Sequence, residues 1–163
     1  MKKNIILTIA LGVSTFFAAC TKDANVDEIE KKLPVMSLSS FGISPDLTGP
    51  FANSNTISFV FGATASNTEV GAFDYAIYDA AVRVDSVHYE KWSGKGVTGI
   101  SVSSVPSTYP NTKVYQGTIT YKLDATKYLS GKKYTVKAYM RPAGNTAGYT
   151  PYQITVSNLI TIK

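Results

Sequence analysis

One histidine, His88, and one cysteine, Cys20, are all the chain has of those two residue types. The common zinc ligand sets draw on several such side chains, so they cannot be assembled here. His88 closes the run Val82-Arg-Val-Asp-Ser-Val-His88 with no local partner for general-base work, which reads as a position on a sheet face near a strand end. A Ser-His-Asp set can be written on paper from His88, Asp79 or Asp85 and many serines, but no nucleophile-elbow glycine pattern surrounds any serine. Asp74, Asp79, Asp85 and Glu90 cluster in sequence and offer the two carboxylates that glycoside hydrolysis requires. They alternate with Tyr and Arg in the manner of a solvated sheet face, and that reading is preferred. No acidic loop of calcium-binding spacing and no glycine-rich loop before a helix is present, so no metal or cofactor is expected and the chain is read as non-enzymatic.

The aromatic residues carry a binding chemistry instead. Among eleven tyrosines and one tryptophan, Tyr89 and Trp92 precede Ser93-Gly94 and Tyr109 precedes Pro110, all beside turn residues. Exposed rings on a rigid scaffold suit sugar binding, because a pyranose presents C–H groups to the π face while neighbouring polar groups bond its hydroxyls. Trp92, Tyr89 and Tyr109 are therefore the candidate ligand contacts, and Trp92 leads because the loop Ser93-Gly94-Lys95-Gly96 beside it is flexible. The competing reading has Trp92 folding back to cap an open end of the core. Asp85-Ser86-Val87 matches the acceptor pattern for O-glycosylation of Bacteroidota-type exported proteins, which requires Ser86 to face solvent. Alternation then puts Val84 and His88 on the face of Ser86 and turns Val87 inward.

Cys20 has a different role. Lys2 and Lys3, an apolar stretch from Ile5 to Ala18 and small residues before a cysteine are the parts of a secretory signal, and the stretch is too short to span a bilayer. Phe17-Ala18-Ala19-Cys20 resembles the bacterial lipoprotein signal, although Phe17 replaces the usual leucine. The resemblance implies cleavage after residue 19, a diacylglyceryl-modified Cys20 and an anchor of more than one acyl chain, as stable membrane attachment requires. Residues 20–32 read as a polar tether with few large apolar side chains. Thr21 after the cysteine is compatible with outer-membrane delivery, to the periplasmic or the cell-surface face; Lys22-Asp23 loosely resembles a surface-export signal.

From residue 33 to 163 the hydropathy repeats every second residue, as in strands with one buried and one wet face. Ile57, Phe59 and Phe61 share one face, as do Ile119, Tyr121 and Leu123. Further strands are expected over 35–43, 73–78, 82–88, 97–105, 134–140 and 152–162, separated by Gly, Pro, Asn and Asp turns. Seven or eight strands and no long amphipathic pattern predict an antiparallel β-sandwich of one domain. The run Tyr121-Lys-Leu123, Leu129-Ser-Gly131-Lys-Lys-Tyr134-Thr-Val136-Lys-Ala138 and Gly148 to Ile154 resembles the E, F and G strands of fibronectin type III and related immunoglobulin-like domains. That resemblance implies that Tyr134 is the corner tyrosine whose hydroxyl ties back to backbone.

Charge separates the function classes. The net charge of +5 is mild, and Lys122, Lys127, Lys132, Lys133, Lys137 and Arg141 gather near the expected E to F corner. They form no dense stripe on a nucleic-acid-binding motif, so nucleic acid is not expected as a partner. The expectation is an outer-membrane, lipid-anchored binding or adhesion module that contacts glycan. The alternative is a structural accessory module that docks a partner protein in an envelope complex through an edge strand. An exposed aromatic platform favours the first, and a bare strand edge the second.

Overall fold

A computed structural model describes residues 34–93, 97–143 and 153–163. They form eight strands, β1 (Val35–Ile43), β2 (Thr56–Ser66), β3 (Val70–Asp79), β4 (Val82–Glu90), β5 (Ile100–Pro106), β6 (Thr112–Lys122), β7 (Lys133–Pro142) and β8 (Gln153–Thr161). All strand pairs are antiparallel, in two sheets ordered β1-β2-β6-β5 and β4-β3-β7-β8. With β1 to β8 taken as A, B, C, C′, D, E, F and G, this is the ABED and C′CFG arrangement of an immunoglobulin-like sandwich. The expected fold class is therefore the observed one.

The period-two pattern becomes the core. From β2 the inward residues Ile57, Phe59, Phe61, Ala63 and Ala65 are buried, and from β7 Tyr134, Val136, Ala138 and Met140 meet them. Each of the large apolar side chains among them, Ile57, Phe59, Phe61, Val136 and Met140, contributes about 1.5–3 kcal/mol over exposure. The centre is aromatic: Phe59 lies 5.2 Å from Phe41 and 5.5 Å from Tyr75 between ring centroids. Phe61 leans over Gly117, its cross-strand partner on β6, so closely that a Cβ there would lie 2.2 Å from the ring. Glycine is the residue that leaves this space.

The two open sides of the sandwich close differently. On one side β1 packs near β7 and β8, and Phe51 forms a parallel bridge with Ile162, its N–H donating to the Thr161 carbonyl at 2.8 Å. On the other, the segment after β4 returns toward β5 and brings Trp92 into the core.

The corner tyrosine is where the resemblance placed it. Tyr134 Oη accepts the Leu129 N–H at 2.8 Å and donates to the Lys127 carbonyl at 3.4 Å, with Gly131 of the intervening turn at φ +76°. Strand β5 begins at Ile100 rather than residue 97 because Gly99, at φ +83°, belongs to the turn before it. Strand β6 reaches back to Thr112, well before Ile119, because Val114 and Tyr115 extend the ladder against Thr64 and Ala63.

Candidate ligand-binding face

The outward face of the β4-β3-β7-β8 sheet collects the polar chemistry of the domain. Cross-strand register lines up two rows, His88–Asp74–Tyr139–Gln153 and, next to it, Ser86–Ala76–Lys137–Thr155. A β-bulge sets this alignment. Asp79 pairs with Val82 and Tyr78 with Arg83, but Ile77 pairs with Asp85, which leaves Val84 as the extra residue. Without that extra residue every position above it would slip by one and Asp74 would face Val87 instead of His88.

Asp74 points outward yet is only 8% exposed, covered by its neighbours on both sides. His88 Nδ1 lies 2.5 Å from Asp74 Oδ1. A carboxylate only accepts, so Nδ1 is the donor. Arg141 faces Asp74 Oδ2 at 3.5 Å, an ion pair that makes no hydrogen bond to that oxygen. His88 Nε2 is 3.9 Å from Glu90. The imidazole is thus held between two carboxylates and touches no hydroxyl among the described residues. Ser86 is on the same face but bonds locally, its N–H donating to Asp85 Oδ1 at 2.9 Å.

Beside this set, β7 carries Lys133, Thr135, Lys137, Tyr139 and Arg141 on its outward side. Lys137 Nζ sits 4.9 Å from the Tyr78 ring centroid and Arg141 Cζ 5.7 Å from that of Tyr139, so two rings position two cations. The outer face of the other sheet is different in kind. It presents Ser58, Val60, Gly62 and Thr64 from β2, Gln116, Thr118 and Thr120 from β6 and Ser101 and Ser103 from β5, with Lys122 at its margin. A shallow depression of about 470 Å³ crosses it over Gly62, lined by Ser40, Ser101, Ser103 and Gln116 among others.

The four clustered acids do not converge on one cleft. Asp74 serves His88 and Arg141, Asp79 pairs with Lys132 at 3.1 Å, and Glu90 borders His88. Asp85 points inward from β4 and accepts the Tyr121 hydroxyl at 2.5 Å, with Lys127 Nζ at 3.2 Å. Since the single proton of Tyr121 is committed to Asp85, Tyr128 donates to Tyr121 Oη at 2.7 Å. Burial pushes the Asp85 carboxyl up, but the bonds from Tyr121, Lys127 and the Ser86 N–H together hold it below the usual carboxylate range. Burial raises Tyr121 far above an ordinary phenol, and the adjacent carboxylate raises it further. This network ties β4, β6 and the turn before β7 together as a structural joint.

The three expected aromatic contacts do not form one platform. Trp92 is 1% exposed, with its ring 5.0 Å from Tyr115, 5.6 Å from Phe61 and 6.3 Å from Phe73. Its reading as an exposed stacking surface is corrected to that of a core residue capping the open side, for which burial of a large apolar ring is the driving force. Tyr89 is half-buried and turns inward, 6.4 Å from Tyr75. Tyr109 is 73% exposed in the β5 to β6 turn, on the other sheet, and shares no ring contact with either. Ser86 is exposed and His88 shares its face, while Val87 is half-buried. Val84 departs from the expected alternation because it is the bulge residue and packs against the core. Cys20 lies outside the described residues. Sequence reading missed the Asp74, Tyr139 and Lys137 assembly; the outward alternation of β7 was its visible signal.

No helix of the described residues is long and apolar enough to cross a membrane, and no group of three or more metal-ligating side chains occurs among them. No family model matches the chain and no curated protein matches it. Among solved structures the chain is similar to astrotactin-2, a vertebrate-specific, perforin-like membrane protein involved in neuronal development, at 13% identity and a TM-score of 0.37. The alignment covers 80% of this chain and 22% of that one.

Proposed function

We propose that the chain is a non-enzymatic binding module, lipidated at Cys20 and anchored in the outer membrane, that contacts glycan through the outward face of the β4-β3-β7-β8 sheet. One observation carries the reading: the rings, the cations and the amide and hydroxyl groups of Tyr139, Tyr78, Lys137, Gln153 and Thr155 share one outward face, whereas the opposite face is nearly all small and uncharged. A sugar uses such a mixture, stacking its C–H groups on a ring edge or face and bonding its hydroxyls to the polar groups around it. A glycan array probed with the detergent-purified chain tests this. Binding that Tyr139→Ala removes without shifting the thermal midpoint supports the face, and binding untouched by Tyr139→Ala and Lys137→Ala excludes it. Replacing Cys20 by Ser tests the anchor, since loss of the thiol abolishes acyl transfer; a washed membrane fraction that retains fully processed Cys20→Ser would defeat it.

Ser86 stands beside Ala76 and Lys137 on this same face, so a glycan attached there would cover part of the ligand surface. The intact mass of the chain from native membranes tells whether Ser86 carries one.

A second reading, a partner-docking accessory module, is supported by β5. This edge strand has no charge and no bulge. Thr120 N–H donates to Gly99 O and Ser107 N–H to Thr112 O, so Ser101, Ser103 and Val105 face β6 while Ile100, Val102 and Ser104 aim their backbone groups away from it. Such an edge accepts an added strand. Val102→Pro, which removes one outward N–H, separates the two readings: it weakens partner capture and leaves glycan binding intact.

A further inference from the structure

We infer that the ligand of the β4-β3-β7-β8 face is an anionic glycan, bound by the cations Arg83, Lys133 and Lys137; the inference rests on the glycan reading above and names the class of sugar. Charge accounting on the face leads to it. Its buried carboxylate, Asp74, is already committed to His88 and Arg141, and Glu90 stands at the His88 end. Arg83, Lys133 and Lys137 have no carboxylate partner among the described residues. Lys127 and Lys132 beside this face, by contrast, are neutralised by Asp85 and Asp79. The face therefore keeps unbalanced positive charge toward the β3 to β4 turn and a balanced ion pair toward Glu90.

The spacing suits a polymer that bears charges at intervals. Lys133 and Lys137 are four residues apart on one strand, about 13 Å along β7. Arg83 stands in the row Arg83–Tyr78–Thr135, two strands away from β7, about 10 Å across. Between these cations lie the Tyr78 ring and the Thr135 hydroxyl, with the Thr155 hydroxyl beyond Lys137 on β8, and these groups suit a sugar backbone better than a lipid surface. Val82 at the β3 to β4 turn is an exposed aliphatic side chain beside Arg83, and β7 turns only Lys, Thr, Tyr and Arg outward. An acidic saccharide laid across β3 and β7 thus meets a cation at each margin and a ring and a hydroxyl in between.

The test uses the full chain in detergent micelles with oligogalacturonate and chondroitin sulfate oligosaccharides, each beside its charge-masked form, the methyl ester and the desulfated chain. Anionic vesicles of phosphatidylglycerol form the third arm. The expected result is binding of the acidic forms, weakened by about tenfold or more on masking and falling as salt rises from about 50 to about 300 mM. The Lys133→Gln, Lys137→Gln double variant, with circular dichroism and thermal midpoint unchanged, lowers affinity for the acidic forms by a similar factor and flattens the salt dependence. Equal binding of masked and acidic forms overturns the anionic inference while the glycan reading stands. Absence of binding to every oligosaccharide, acidic or neutral, overturns both, and vesicle binding without oligosaccharide binding makes the face a lipid contact instead.

Discussion

Asp74 and His88 meet across β3 and β4, Nδ1 to Oδ1 at 2.5 Å, because the bulge at Val84 adds one residue to β4. The carboxylate is nearly buried, so its hydrogen bond cannot be replaced by bulk water at low cost. His88→Ala is expected to lower stability by about 1–3 kcal/mol, the range for leaving a buried polar group without its bond. His88→Gln, whose amide can still donate, should recover part of the loss. Denaturant midpoints for the two variants decide the point: an unchanged midpoint for His88→Ala would show that the contact contributes nothing.

The Tyr134 hydroxyl joins two backbone groups of the preceding turn, the Leu129 N–H and the Lys127 carbonyl. Its ring is buried against Tyr128, 5.0 Å between centroids. Tyr134→Phe keeps the ring and removes both bonds, at a cost of about 1 kcal/mol. Chemical denaturation reads this directly, and loss of the Leu129 amide's protection in hydrogen exchange locates it.

Trp92 caps the open side between β4 and β5. Truncation of a buried ring of this size costs about 3–5 kcal/mol, so Trp92→Ala should unfold at a markedly lower denaturant concentration. Trp92→Phe, which keeps contact with Tyr115 and Phe61, should cost less. Near-ultraviolet circular dichroism checks the environment directly, since a tryptophan held edge-on to three rings gives a structured signal that is lost on unfolding.

The strands were legible in the sequence wherever one face is buried and the other wet. The alternation of Ile57, Phe59 and Phe61, and of Tyr134, Val136 and Ala138, has a local cause and a local signature. Tyr134 was legible through the resemblance, whose run from Leu129 through Gly131 to Tyr134 is local because the turn that the hydroxyl ties lies within a few residues of it. Trp92 was misread because its neighbours describe a loop, whereas its partners Phe61, Phe73 and Tyr115 come from three other strands. The Asp74–His88 pair was hidden for a related reason. Which residues of a hairpin face each other depends on a single bulge, and neither Val84 nor its neighbours differ in type from residues of a regular strand. The clustering of acids in sequence likewise said nothing about direction: Asp85 turns inward and Asp74 outward because their rows, Ile77–Asp85 and Asp74–His88, stand three positions apart, an odd step that crosses to the other face.

The Asp85 network predicts how stability depends on pH at both ends. In the folded chain burial alone would raise Asp85, but Tyr121, Lys127 and the Ser86 N–H lower it below its ordinary value. A carboxyl lowered on folding stabilises the fold above its unfolded value, about 3.9, and loses that contribution as pH falls through the folded value. Wild-type stability should therefore decline below about pH 4, and Asp85→Asn, which cannot titrate, should show a shallower decline. At the alkaline end the sign follows from the opposite shift. Tyr75, Tyr121 and Tyr128 are raised above an ordinary phenol, chiefly by burial, so they stay neutral in the fold while the unfolded chain ionises above about pH 10. Stability is complete below that pH and falls as pH rises beyond it. Phenolate absorbance measured alongside unfolding tests both statements: these tyrosines should ionise only as the chain unfolds, and Tyr121→Phe should reduce the alkaline loss. Titration of all tyrosines near pH 10 in a chain that remains folded would refute the buried network, as would an acid limb in Asp85→Asn identical to that of the wild type.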